Sequence, residues 1–192
     1  MRAVMSKVLI IYGTTDGHTQ KIATRLGEMF RAEDVGADVF HAADVPADVD
    51  PYHYDGVIVA ASVHVGGFQK CVHRWVLRHR TALNDLPSAF FSVCLGVLEP
   101  EPEVQREVRA IIQRFLDRVG WVPAFARAIP GALPWSKYGW LKTFVMKRIV
   151  AKKMGSVDPT RDVEYTDWAD LRAFSVLFAE RFRPVPATVP AG

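Results

Sequence analysis

Three chemistry-bearing residue types crowd into one short stretch, Thr14-Thr15-Asp16-Gly17-His18-Thr19. Three hydroxyls, a carboxylate and an imidazole surround a glycine, directly after the apolar run Val8–Tyr12 and directly before a helical pattern. A strand feeding such a loop into a helix aims backbone N–H groups and threonine hydroxyls at one point. That point lies at the positive end of the helix, which is the physical recipe for a phosphate site. Two commoner phosphate loops are excluded by spacing. No Lys-Ser/Thr pair follows the second glycine, as a nucleotide-hydrolysing loop requires. The three-glycine dinucleotide fingerprint is missing too, since only Gly13 and Gly17 are present. The competing reading is structural: Thr15 or Asp16 caps the helix and Gly17 relaxes the turn.

The elements that must position this loop alternate along the chain. Val8–Tyr12, Ala37–Phe40, Asp55–Ala61, Pro87–Val93 and Phe125–Ile129 read as strands. Thr19–Glu33, Phe68–Ala82, Val104–Val119 and Trp168–Phe182 read as helices with apolar stripes at helical spacing. Those stripes run through Ile22, Leu26, Met29 and Phe30, through Val72, Trp75, Val76 and His79, and through Leu171, Phe174, Leu177 and Phe178. Alternating strands and helices predict an α/β fold, a doubly wound parallel sheet with helices on both faces. Ligands of such sheets bind beyond the carboxyl ends of the strands. Two further loops leave those ends: Ser62-Val63-His64-Val65-Gly66-Gly67 after the third strand, and Cys94-Leu95-Gly96 after the fourth. They are placed to bracket a flat ring whose phosphate sits in the first loop. Gly66, Gly67 and Gly96 would let the backbone come close to it.

Composition limits the function classes. A chain of 192 residues that is 49% hydrophobic can bury one substantial core. One domain over residues 1–183 is therefore expected, with the proline-bearing stretch 184–192 as a disordered tail. No apolar run of about 18 residues is present, so no membrane span is expected. Met1–Lys7 lacks the apolar stretch of a secretory signal. Cys71 and Cys94 lack metal-type spacing and read as reduced thiols of a cytoplasmic protein, with no metal site expected.

The net charge of +3 is unevenly spread. Eight basic residues and no acidic ones lie between Arg118 and Val157. Within that block Trp140, Leu141, Phe144, Val145, Ile149 and Val150 recur at helical spacing. Lys142, Lys147, Arg148, Lys152 and Lys153 fall mostly on the other side. A basic amphipathic helix bearing Trp suits the surface of an anionic membrane, or the acidic groups of a substrate. Each basic residue near such a surface contributes about 1 kcal/mol, enough together for a reversible anchor. Nucleic-acid binding is not expected, because no stacking platform or reading motif accompanies the patch.

Several segments together resemble one family. They are Thr14–Thr19, Ala61-Ser62, Pro87–Val93, Pro130-Gly131-Ala132-Leu133, Tyr138-Gly139-Trp140 and Val163-Glu164-Tyr165-Thr166-Asp167-Trp168. With these the chain resembles the flavodoxin-type, quinone-dependent protoporphyrinogen IX dehydrogenases. The resemblance implies a flavodoxin-like five-stranded sheet of order 2-1-3-4-5, with an insertion at about residues 133–161 interrupting strand five. It implies FMN, with its phosphate in Thr14–Thr19 and its ring between residues 62–67 and 94–96. It also implies oxidation of protoporphyrinogen IX, a membrane quinone as acceptor, and a place at the inner face of the cell membrane. The hard redox chemistry would belong to the flavin, so no acid–base triad is needed. His64, on a ring-facing loop, is the candidate for moving a proton, against the plainer reading of a loop histidine facing water. Two loops depart from the family. The one after strand three has His64, Val65 and Gly67 in place of a basic residue and aromatics. The one after strand four carries Glu99, Glu101 and Glu103 where the family is basic. The altered loops keep two alternatives open: an FMN-dependent quinone/NAD(P)H oxidoreductase, and a flavodoxin-like electron carrier.

Overall fold

A computed structural model describes residues 6–64, 66–133 and 163–181. Five strands form one parallel sheet: β1 (Lys7–Gly13), β2 (Gly36–His41), β3 (Gly56–Ser62), β4 (Ser88–Val93) and β5 (Phe125–Ile129). Their spatial order is β2-β1-β3-β4-β5. Among the described residues four α-helices accompany them: α1 (His18–Ala32), α2 (Lys70–Asp85), α3 (Pro102–Val119) and α4 (Trp168–Ala179). A short antiparallel pair, β6 (Ala132–Leu133) with β7 (Val163–Glu164), stands apart from the main sheet.

Side chains alternate across a strand, so an all-apolar strand can feed two cores at once. Val8, Ile10 and Tyr12 of β1 join Ile22, Leu26 and Phe30 of α1 and Leu171, Phe174 and Phe178 of α4. Leu9 and Ile11 point the other way, to Val72, Trp75 and Val76 of α2 and Ile112, Phe115 and Leu116 of α3. Leu9, Ile10 and Ile11 have no exposed surface at all. Each such side chain contributes roughly 1.5–3 kcal/mol by burial. The order of strands reverses direction between β1 and β3, and their carboxyl ends form the crevice where ligands of such folds sit.

The structure refines the expected boundaries in three places. Phe68 does not begin α2; it plugs the core between strand and helix, with ring centroids 5.1 Å from Phe90 and 4.9 Å from Phe115. Packing of that partly buried ring against the core wins over helix continuation. Leu177 leaves the expected core stripe and is 52% exposed, because the Phe174–Phe178 pair occupies the inner face of α4. His79 is likewise only half-buried and lies against Trp75 rather than in the core.

Candidate functional site

The crevice begins at Gly13, the last residue of β1. A Cβ on Gly13 would lie 2.3 Å from Cγ2 of the buried Val72, so only glycine lets α2 come this close. The chain then turns through Thr14–Gly17. The Thr14 hydroxyl accepts the Gly17 N–H at 2.9 Å, closing the loop on itself. Gly17 takes φ 91°, a left-handed conformation that costs an L-residue roughly 1–2 kcal/mol. Helix α1 starts there with no side-chain cap and no acidic residue in its first turn. Gly17 relaxes the turn, as the structural reading of this loop expects, and as N-cap it brings no side chain of its own. Helix starts leave up to four N–H groups without intrahelical partners. In the same turn the buried Thr19 Oγ1 has no hydrogen-bond partner among the described residues. A buried hydroxyl left unmatched costs about 1–3 kcal/mol. A positive helix end beside an unmatched hydroxyl fits a phosphate group, and therefore fits the phosphate of a flavin mononucleotide.

A second wall comes from residues after β3. The Val63 N–H donates to the Val93 carbonyl at 3.0 Å, tying this loop to the end of β4. His64 and Gly67 exchange two backbone hydrogen bonds, at 2.8 and 3.1 Å, around Gly66 at φ 73°. Gln69 locks the first two loops together. Its Nε2 donates to Ser62 Oγ at 2.7 Å, with the Ser62 carbonyl at 3.2 Å and Thr15 Oγ1 at 3.1 Å also within reach. The third wall follows β4. The Cys94 N–H donates to the Ile129 carbonyl at 3.0 Å. Burial pushes the Cys94 thiol up, although hydrogen bonding with Val97, Gly96 and Ser92 pulls the other way. Gln105 Nε2 then braces the turn against the carbonyls of Val97 at 3.0 Å and Glu99 at 2.6 Å. Glu99 is folded inward, only 5% exposed, and Glu103 lies within 3.6 Å of Arg106 in the first turn of α3. Glu101 and Glu103 stay exposed, so the acidic rim expected after strand four is present without Glu99.

These walls enclose a cavity of about 370 Å³, within the usual range of roughly 300–1,000 Å³ for ligand sites. Thr14, Thr15, Asp16, His18, Thr19, Ser62, Val63, His64, Cys94, Leu95 and Gly96 all line it. Gly17 sits at the helix start without lining it. Gly66 and Gly67 face a separate cavity of about 140 Å³ beside His73, Arg114 and Arg118. Val65, Trp140, Lys142, Lys147, Arg148, Lys152 and Lys153 lie outside the described residues. So does all but the first residue of the insertion expected at about 133–161.

The main cavity also uses residues that motif reasoning did not assign to it: Val93, Gly131 and Ala132. Gly131 allows close packing, since a Cβ there would meet Val93 Cγ1 at 3.3 Å. Gln69 and Thr166 act one step behind the wall. His18 Nε2 lies 2.7 Å from Thr166 Oγ1, which in turn donates to the Pro130 carbonyl at 2.9 Å. No local pattern marks Gln69, whereas Gly131 and Thr166 stand in two of the segments that carry the family resemblance. A wider groove, about 1000 Å³, runs between α1 and α4. It lacks any loop from the carboxyl edge of the sheet, and its chemistry is that of two helix surfaces.

Comparison with known proteins agrees with this geometry. The family model described as Flavodoxin domain matches residues 9–160. The protein of Escherichia coli (strain K12) named protoporphyrinogen IX dehydrogenase (quinone) is 33% identical, over 88% of this chain and 92% of its own. A protein of the same name from Leishmania major is 31% identical, over 99% of this chain and 80% of its own. Among solved structures, oxidised flavodoxin 2 from Bacillus cereus shares the fold at TM-score 0.52. It is 16% identical, and the match covers 92% of this chain and 100% of that one. An NADH:FMN oxidoreductase in its apo form shares it at TM-score 0.53 and 13% identity, over 95% of this chain and 93% of that one. The chain belongs to the flavodoxin-domain family and is an FMN-binding oxidoreductase of that fold.

Proposed function

We propose that this chain oxidises protoporphyrinogen IX to protoporphyrin IX and passes the electrons to a membrane quinone. The observation that carries the substrate assignment is the agreement, along 88% of the chain, with relatives that bear that name. In this reading the phosphate is held by the hydroxyls of Thr14, Thr15 and Thr19 and by the first N–H groups of α1. Residues 62–64 and 94–96 flank the ring. Bound there, FMN supplies the two-electron acceptor that no side chain of the protein can provide. Val63, Val93 and Leu95 give the cavity apolar walls that limit water. His64, exposed at the rim, carries protons between cavity and solvent. Residues Trp140, Lys142, Lys147, Arg148, Lys152 and Lys153 are assigned to an anionic membrane surface or to the substrate's propionates.

The test is anaerobic. Protoporphyrinogen IX added to the yellow protein should bleach the flavin, and a quinone should then sustain turnover to fluorescent protoporphyrin. Oxidation of NADPH with no porphyrinogen turnover would replace this reading by the quinone/NAD(P)H oxidoreductase. No turnover with either would leave an electron carrier. Membrane docking is tested separately: Lys142, Lys147, Lys152 and Lys153 changed to Glu should abolish sedimentation with anionic liposomes. Unchanged sedimentation would remove the anchor and leave the flavin site untouched.

A further inference from the structure

The chain leaves the main sheet at Pro130, and from Val163 it runs back alongside β6 in a return segment fastened to α1. The Tyr165 N–H donates to the Gly131 carbonyl at 3.1 Å. Glu164 takes hydrogen bonds from Lys21 of α1 and from Trp168 Nε1, the latter at 2.6 Å. Trp168 in turn lies under Arg25 of the same helix, 4.7 Å from ring centroid to guanidinium. One of these fasteners reaches the cavity itself. Thr166, 8% exposed, accepts at 2.7 Å from His18, which lines the cavity 148 residues away in sequence.

The direction of that bond follows from counting protons. A threonine hydroxyl has one, and Thr166 spends it on the Pro130 carbonyl, which can only accept. The His18–Thr166 bond therefore requires the proton on Nε2 of His18. Thr166 thus holds a proton on Nε2 of a residue in the first turn of α1, beside Thr19.

We propose that Thr166 is a latch: it couples docking of residues 163–167 to the geometry of the Thr14–Thr19 loop, and so to flavin affinity. The proposal rests on the reading that this loop holds the FMN phosphate. Thr166 is a positioning residue, acting through His18 and making no contact of its own with the ligand. Coupling of this kind is reciprocal. A docked return segment tightens the loop around FMN, and bound FMN must protect the return segment in equal measure.

The experiment measures both directions on the full chain. FMN binding to apoprotein is followed by quenching of flavin fluorescence, and amide exchange at Tyr165 is followed with and without FMN. Thr166→Val should weaken FMN binding about tenfold, the equivalent of one part-buried hydrogen bond. It should also abolish the slowing of Tyr165 exchange that FMN produces in the wild type. Thr166→Ser, which keeps the hydroxyl, should restore both to near wild-type values. A general packing defect would not be rescued in this way. Should Thr166→Val fail to fold, His18→Phe serves the same purpose, filling a similar volume without an N–H. Combined with Thr166→Ser it should be no worse than alone. Wild-type affinity in Thr166→Val or His18→Phe, or exchange at Tyr165 that ignores FMN, overturns the latch. Wild-type apoprotein that binds no FMN would instead overturn the flavin reading on which the latch depends.

Discussion

Helices α1 and α4 lie side by side against one face of the sheet, yet they begin in opposite ways. α4 opens at Asp167, whose carboxylate accepts the N–H groups of Ala169 and Asp170, each at 3.0 Å. Asp170 adds a negative charge in the first turn, where the helix dipole favours it. α1 opens at a glycine, with no side-chain cap and no acid in the first turn. Glycine at the N-cap costs only about a few tenths of a kcal/mol against a capping side chain, so α1 gives up a little stability that the neighbouring helix keeps. Only one of the two starts faces the cavity. Of this pair, the helix that begins away from the cavity satisfies its first donors with its own cap, and the helix that begins at the cavity has no such cap.

Removing the unmatched hydroxyl of α1 tests this contrast most severely. Thr19→Val keeps the shape and deletes the donor that has no partner among the described residues. FMN affinity should fall about 30-fold, as expected for loss of a hydrogen bond to a charged group. The melting temperature of the apoprotein should hold or rise, since a buried unmatched polar atom has been removed. A drop in apoprotein stability with unchanged affinity would mean that Thr19 serves the fold instead. Next in size is Gly13→Ala, which drives a methyl group into the buried Val72. A loss of about 1–3 kcal/mol is expected, read as a melting temperature several degrees lower. Wild-type stability there would show that α2 need not approach β1 so closely.

The mirror-image change on α4 is smaller. Asp167→Ala should cost about 1 kcal/mol of stability, measured by denaturant unfolding of the apoprotein. A loss well beyond that would show that the cap holds more than its own helix. The smallest effect concerns pH. Burial alone would raise the Glu164 carboxyl, but hydrogen bonds from Lys21 and Trp168 outweigh it and hold the group below its ordinary value. A carboxylate depressed in the folded state stabilises above its unfolded pKa and loses that contribution as pH falls through the folded one. Wild type should therefore exceed Glu164→Gln in stability at neutral pH, and the gap should close below about pH 4. The partly exposed Lys21 pairing keeps the difference modest. A gap that persists in acid would assign the effect to packing.

How much of this was readable beforehand depends on the range of the interactions. The strand Val8–Tyr12 is legible because continuous apolar residues are needed to feed two cores, and Leu9 and Ile11 do face away from Val8 and Ile10. The Thr14–Thr19 loop is legible because strand, hydroxyls, glycine and helix follow one another directly. Phe68 is not legible: helical spacing includes it, and only the Phe90 and Phe115 rings draw it out. Leu177 fails for the converse reason, since an apolar residue on a helix does not announce which face its neighbours will cover.

Residue order alone determined the alternation of strands and helices, the hydroxyl-bearing turn after the first strand, and the glycines that later loops require. These depend on periodicity and on bonds between near neighbours, which spacing carries. Tertiary structure decided that α1 would be left uncapped, that Gln69 would tie Thr15 to Ser62, and that Thr166 would reach His18 across 148 residues. Such contacts form only when the sheet brings distant segments to one edge. No local pattern encodes the distance between them.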